Sequence, residues 1–264
     1  MTALPALFVS HGSPMLALDG GRTAVAWRAL AADLPPPRAV LMVSAHWETA
    51  APAVSAAASP STMHDFGGFP QPLYEIQYPA PGAPWLGGRV RDLLAAANLP
   101  ATINTTRGID HGAWVPLREM YPAADVPVVQ LALQTHLGAM HHYKLGQALA
   151  GLQNEGVLII GSGSLTHNLR DMIPGVSEGS PRVPAYVPAF QEWMHDKVMA
   201  HDVDALVDYR RRAPAAARAH PSEEHLFPLH VVLGAAGSTS VPRRTYAGIT
   251  EGALAMDVYT FEGV

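Results

Sequence analysis

The sequence predicts an α/β fold: a single domain with a central, mostly parallel sheet flanked by helices on both faces. Three observations carry this. Short apolar runs end abruptly in small or polar residues. They are continuous rather than alternating, as in strands buried on both faces. Helical patterns lie between them, and that alternation implies an α/β sandwich. The strand runs are Leu4–Ser10, Ala39–Ser44, Val126–Leu133 and Val157–Ile160. Helical spacing marks Arg22–Leu34, Trp85–Ala97, Gly138–Gln153, Ala185–Ala200 and Val203–Arg212. Ser222 reads as the N-cap of a helix from Glu223 to Leu233, with Glu223 and Glu224 stabilising its first turn. The tail, Thr245–Phe261, alternates loosely and is expected to add edge strands. Pro52–Pro84 and Ile173–Pro184 fit neither period, and loops of that length are usually functional or mobile. No internal repeat or linker divides residues 1–264.

Of the 264 residues, 15% are charged and 48% hydrophobic, which suits a packed core and argues against disorder. The net charge of −5 gives no general pull toward nucleic acid or an anionic membrane. No stretch approaches the roughly 18 apolar residues of a membrane span. Pro5 and His11 interrupt any signal-type apolar run, so a cytoplasmic enzyme is the expectation. The chain has no cysteine, so any metal must sit on nitrogen and oxygen ligands. Its 13 histidines, against 17 lysines and arginines, supply that chemistry.

Position decides which histidines matter. Ligands in open α/β sheets bind beyond the carboxyl ends of the strands. His11 falls one residue past the first predicted strand and His46 two past the next. His167 follows the Gly161-Ser162-Gly163-Ser164-Leu165-Thr166 turn. Three histidines thus meet one sheet edge, whereas a lone one there would more often be structural. Gly12 permits a tight turn behind His11, and Pro14 stiffens the exit. In His220-Pro221-Ser222-Glu223-Glu224-His225, both His220 and His225 are candidates for a third ligand. Asp110-His111-Gly112-Ala113-Trp114 is read as an active-site loop in which His111 meets substrate or oxygen. His64, His136, His141, His142, His195, His201 and His230 lack an equally specific placement, and most are assigned to surface or core roles. The motifs for zincins, nucleophile elbows, P-loops and dinucleotide binding are absent.

Together these motifs resemble the class III (LigB-type) extradiol ring-cleavage dioxygenases, and within them the 4,5-DOPA dioxygenase group. The resemblance runs nearly end to end. It rests on Ser10–Pro14, Ser44–Trp47, Asp65–Pro70, Asp110–Trp114, Gly161–Arg170 and His220–His225 in the right order. It implies one catalytic domain over 1–264. It also implies a metal held by His11, His46 and His225, with His167 as acid/base or fourth ligand and His111 orienting substrate or oxygen. The cofactor is then one divalent ion, Fe²⁺ for oxygenation or Zn²⁺ as isolated. The partners are a small aromatic diol and O₂, acted on by a monomer or small homo-oligomer. His167 is expected to titrate near neutrality, and Phe66, Phe69, Tyr74 and Tyr78 to wall an aromatic pocket or simply pack their loop. Two rival readings use the same residues: a zinc hydrolase with an open water position, and a non-catalytic metal-binding protein of the same fold.

Overall fold

The computed structural model describes residues 3–177 and 179–263, so Glu178 of the second long loop lies outside it. The elements in order are β1 Ala6–Ser10, α1 Gly21–Ala32, β2 Ala39–Glu48, β3 Ala53–Ser55, α2 Gln71–Glu75, α3 Pro84–Ala96, β4 Thr102–Asn104, α4 His111–Met120, β5 Val128–Leu133, α5 Gly138–Leu149, β6 Val157–Gly163, α6 Tyr186–Met199, α7 Val203–Val207, α8 Tyr209–Arg212, α9 Ala216–Ala219, α10 Phe227–Ala236, β7 Val241–Tyr246, β8 Ile249–Thr250, β9 Leu254–Ala255 and β10 Val258–Glu262. Eight strands form one sheet in the order β4-β3-β5-β2-β6-β1-β10-β7. Its centre, β5-β2-β6-β1, is parallel throughout.

The apolar runs become strands because both faces of the central sheet are covered. Leu41, Val43, Ile159 and Phe8 pack on one side with α3, α5 and α10. Leu7, Val9, Met42 and Ile160 pack on the other with Trp27 of α1 and Trp114 of α4. The tail differs from expectation: β7 forms the edge, whereas β10 lies inside it, antiparallel to both β1 and β7. Val258–Phe261 are buried and alternate only weakly because they are covered on both faces.

Three other elements depart from the sequence reading. Asp110–Trp114 is not a loop: Asp110 caps α4, accepting from the Ala113 N–H at 3.3 Å. Pro116 hid that helix from a periodicity reading. The helix expected from Glu223 begins instead at Phe227, with Pro228 in its first turn. Ser222 does not cap it; its hydroxyl turns to Glu224 at 3.0 Å. The Val203–Arg212 segment divides into two short helices. Among the described residues no helix is long and apolar enough to cross a membrane.

Candidate active site and metal centre

The site forms where β6 lies between β1 and β2, at their carboxyl ends. His11 follows β1 directly, its N–H held by the Gly163 carbonyl at 2.9 Å. His46 lies within β2, not beyond it. Between Val43 and Glu48 the strand takes five steps while β5 takes two from Leu131 to Leu133, so Ser44–Trp47 bulges from the ladder. That bulge re-aims the His46 ring. His111 is the first residue of α4. His167 lies in the turn after β6, and His225 in the turn before α10, where its carbonyl accepts from the Ser164 N–H at 2.9 Å.

These five histidines line one cavity of about 310 Å³ with Asp65, Phe66, Phe69, Leu169, Met172 and Leu254. The ring centroids of His11 and His46 are 4.9 Å apart, and those of His46 and His111 are 3.9 Å apart. His225 lies 5.4 Å from His11 and 4.9 Å from His46, and stacks on His167 at 3.4 Å. The other cluster candidate, His220, is elsewhere. It is fully buried against Phe190, with its Nε2 on the Leu165 carbonyl at 2.9 Å.

Hydrogen bonds fix which nitrogens are bare. Pro116 has no N–H, so the carbonyl of Gly112, four residues back, loses its helical donor. The Ser162 hydroxyl donates to that carbonyl instead. With its one proton spent, the Ser162 oxygen accepts from His11 Nδ1 at 3.0 Å. His11 Nε2 is therefore unprotonated. Glu224 acts the same way on His225, its carboxylate accepting from Nδ1–H at 2.9 Å. His225 Nε2 is left buried without a partner. Glu224 thus holds a ring rather than a helix terminus, while Glu223 accepts from Tyr209 at 2.6 Å.

His11 Nε2 and His46 Nε2 approach to 3.0 Å. Two nitrogens each about 2.1 Å from one cation, about 90° apart, have that spacing. The donor set therefore fits a divalent ion. His11, His46 and His111 form one potential ligand group, and His167, Glu224 and His225 another.

Burial, helped by the neighbouring imidazoles, holds His11 and His225 well below the usual histidine range. Burial and His111 also lower His46. All three are neutral at pH 7, the form that binds metal. His167 does not titrate near neutrality: burial lowers it to about 4, so it rests as a base.

Behind these rings lies a buried polar frame. Asp110 accepts from Ser44 and Gln130, each at 2.6 Å, and from Arg107 at 3.0 Å. Arg107 also holds the His46 carbonyl at 3.1 Å. A Cβ on Gly112 would lie 2.4 Å from Ser44 Oγ and 2.9 Å from His46 Cδ2, so only glycine lets α4 approach the histidines. Phe66 and Phe69 wall the cavity, Tyr74 backs Phe66 at 5.3 Å, and Tyr78 is core, bonded to the Tyr121 carbonyl. Ser162 and Asp65 drew no role from the sequence, because no spacing rule links a strand serine or a loop aspartate to a distant ring.

The model of the LigB family, the catalytic subunit of aromatic ring-opening dioxygenase, matches residues 5–256. The chain belongs to the LigB family. It is an extradiol aromatic ring-opening dioxygenase, an oxidoreductase. It is 44% identical over 260 residues to the 4,5-DOPA dioxygenase extradiol of Beta vulgaris, covering 96% of this chain and 95% of that one. It is 40% identical over 261 residues to that of Escherichia coli K12, covering 97% and 93%. A crystal structure of an uncharacterized protein from Escherichia coli K12 superposes on this LigB chain with a TM-score of 0.81 at 34% identity. That match covers 97% of this chain and 99% of the other.

Proposed function

We propose that residues 1–264 act as one catalytic domain that opens the ring of a DOPA-like catechol with O₂, using a divalent ion held by His11, His46 and His225. The observation that supports this best is the buried, unpartnered Nε2 of His225, in the same cavity as the Nε2 pair of His11 and His46. A buried polar group without a partner costs about 1–3 kcal/mol, which a bound ion recovers. When bound, the ion supplies Lewis acidity to the diol and electronic coupling between diol and dioxygen. Fe²⁺ is the oxygenating metal in this reading, and Zn²⁺ suits the same three imidazoles in isolated protein.

The chain's own residues do the rest. Phe66, Phe69, Leu169, Met172 and Leu254 bound the ring and exclude water. His111 takes a proton from the diol. His167, neutral and stacked on His225, moves a proton later in the cycle. A cytoplasmic location and a monomer or small homo-oligomer rest on the sequence alone. LigB membership favours oxygenation over the hydrolytic reading.

The test is oxygen uptake by anaerobically reconstituted Fe²⁺ protein with DOPA and simple catechols. One O₂ consumed per diol is expected. No uptake across the panel, or zinc-dependent turnover of a hydrolysable substrate without oxygen, would overturn the reading.

A further inference from the structure

The loop that carries the aromatic wall also carries a carboxylate, Asp65, that faces two site histidines. It is pinned on both sides of Asp65. The Met63 N–H bonds to the Ile109 carbonyl at 2.8 Å, and the Met63 carbonyl accepts from Trp114 Nε1 at 2.8 Å. His64 Nε2 meets the Ile76 carbonyl at 2.9 Å. Phe66 and Phe69 follow, their rings 5.4 Å apart.

Asp65 Oδ1 accepts the backbone N–H of His111 at 2.9 Å. The same oxygen lies 3.1 Å from His111 Nδ1, in a bent approach. Oδ2 lies 3.8 Å from His46 Nδ1, too far for a hydrogen bond. The carboxylate is therefore committed to His111. Such an oxygen can only accept, so the ring proton of neutral His111 belongs on Nδ1 and the lone pair on Nε2. Burial pushes the Asp65 carboxyl up, but hydrogen bonding to His111 outweighs this and lowers it to about 2. Catalytic hydrogen bonds that are bent in the free enzyme commonly tighten when substrate arrives.

We propose that Asp65 is a positioning residue that fixes His111 in the Nδ1–H form, so that Nε2 accepts a proton from the catechol. It also ties the Phe66–Phe69 wall to that histidine. In the step, the diol O–H bond breaks and an N–H bond forms at Nε2. The resulting imidazolium faces the Asp65 carboxylate, and the electron pair stays on the catecholate oxygen. This rests on the ring-opening reading above, and a binding readout separates the two.

The experiment uses D65N, H111A and the double variant as full-length proteins. D65N keeps an oxygen for the His111 backbone N–H while removing the charge. Metal content of D65N is expected to equal wild type, because Asp65 is no ligand in this reading. With iron, kcat is expected to fall about 10–100-fold, with KM changed less than about threefold. With zinc, which needs no turnover, 4-nitrocatechol reports its own ionisation by absorbance. Wild type is expected to bind it more deprotonated than D65N does at the same pH. D65N is expected to add less than about twofold to the loss in H111A, since both act on one proton. Unchanged kcat and probe ionisation in D65N would overturn the proposal, as would losses that multiply in the double variant. D65E restores the charge, so partial recovery of probe ionisation is expected, and a D65E no better than D65N would count against it. If wild type consumes no oxygen with any catechol, the ring-opening reading fails while the zinc measurement still tests Asp65.

Discussion

Two sets of histidines lie inside this fold and are chemically opposite. His142, His220 and His230 each rest on the main chain. His142 Nδ1 meets the Gly138 carbonyl at 2.7 Å while its Nε2 accepts from the Gln134 N–H at 3.1 Å. His230 lies between the carbonyls of Leu206 and Leu226. His11, His46, His111, His167 and His225 instead share a cavity, and their ring partners are a serine, carboxylates and one another. A lowered pKa does not separate the sets, for burial lowers His142 and His220 to about 3 as well. The partner of each nitrogen separates them. Backbone groups meet both ring nitrogens of His142 and His230 and the Nε2 of His220, whereas the side-chain partners on Nδ1 of His11 and His225 leave Nε2 to the cavity.

The sharpest way to break this comparison is substitution in both sets. H11A, H46A and H225A are each expected to lose stoichiometric metal and all turnover while staying folded. H142A is expected to keep its metal and lose about 1–3 kcal/mol of stability. Metal analysis with thermal melts checks both, and a metal-free H142A or a metal-replete H225A would erase the distinction. Next in size, H167Q is expected to retain metal and lose about 10²–10⁴ in kcat, measured by oxygen uptake. S162A frees the His11 Nδ1 proton and is expected to weaken metal affinity about 10–100-fold by competitive chelation.

The pH dependences are smaller and opposite in sign. A histidine lowered on folding gives stability that is present above its unfolded value of about 6.5 and lost as pH falls toward its folded value. For His142, at about 3, the loss between pH 7 and 5 is about 2 kcal/mol. The melting temperature of metal-free protein is expected to drop over that range, and H142A to flatten the drop. Asp257 runs the other way. Burial, against the Gln191 hydrogen bond, raises it to about 7. Its contribution is full below the unfolded value near 3.8 and lost as pH rises through 7. D257N is therefore expected to gain stability relative to wild type between pH 5 and 8, by melting temperature.

The same contrast explains what the sequence could reveal. The four central strands were legible because burial on both faces writes continuous apolar runs. The helices α1, α3, α5 and α6 were legible through their spacing. β3 and β4, at three residues each, are too short to leave a pattern. α4 was hidden by Pro116, the residue that frees the Gly112 carbonyl for Ser162. The turn holding His225 reads as a helix in the sequence because Ser222 has the chemistry of a cap, and only folding gives its hydroxyl to Glu224. Strand ends pointed to His11, His46 and His167 together. The choice of His225 over His220 is open from spacing, since both lie in the one run His220–His225. Their partners differ only once β6 and α10 pack, when the Leu165 carbonyl takes His220. Asp65 and Ser162 act across 46 and 151 residues of chain, beyond any local signal.

The most direct measurement is anomalous diffraction from crystals grown with one equivalent of Zn²⁺. The account predicts a single peak contacting Nε2 of His11, His46 and His225. A peak on other residues, or none at stoichiometric metal, would contradict it.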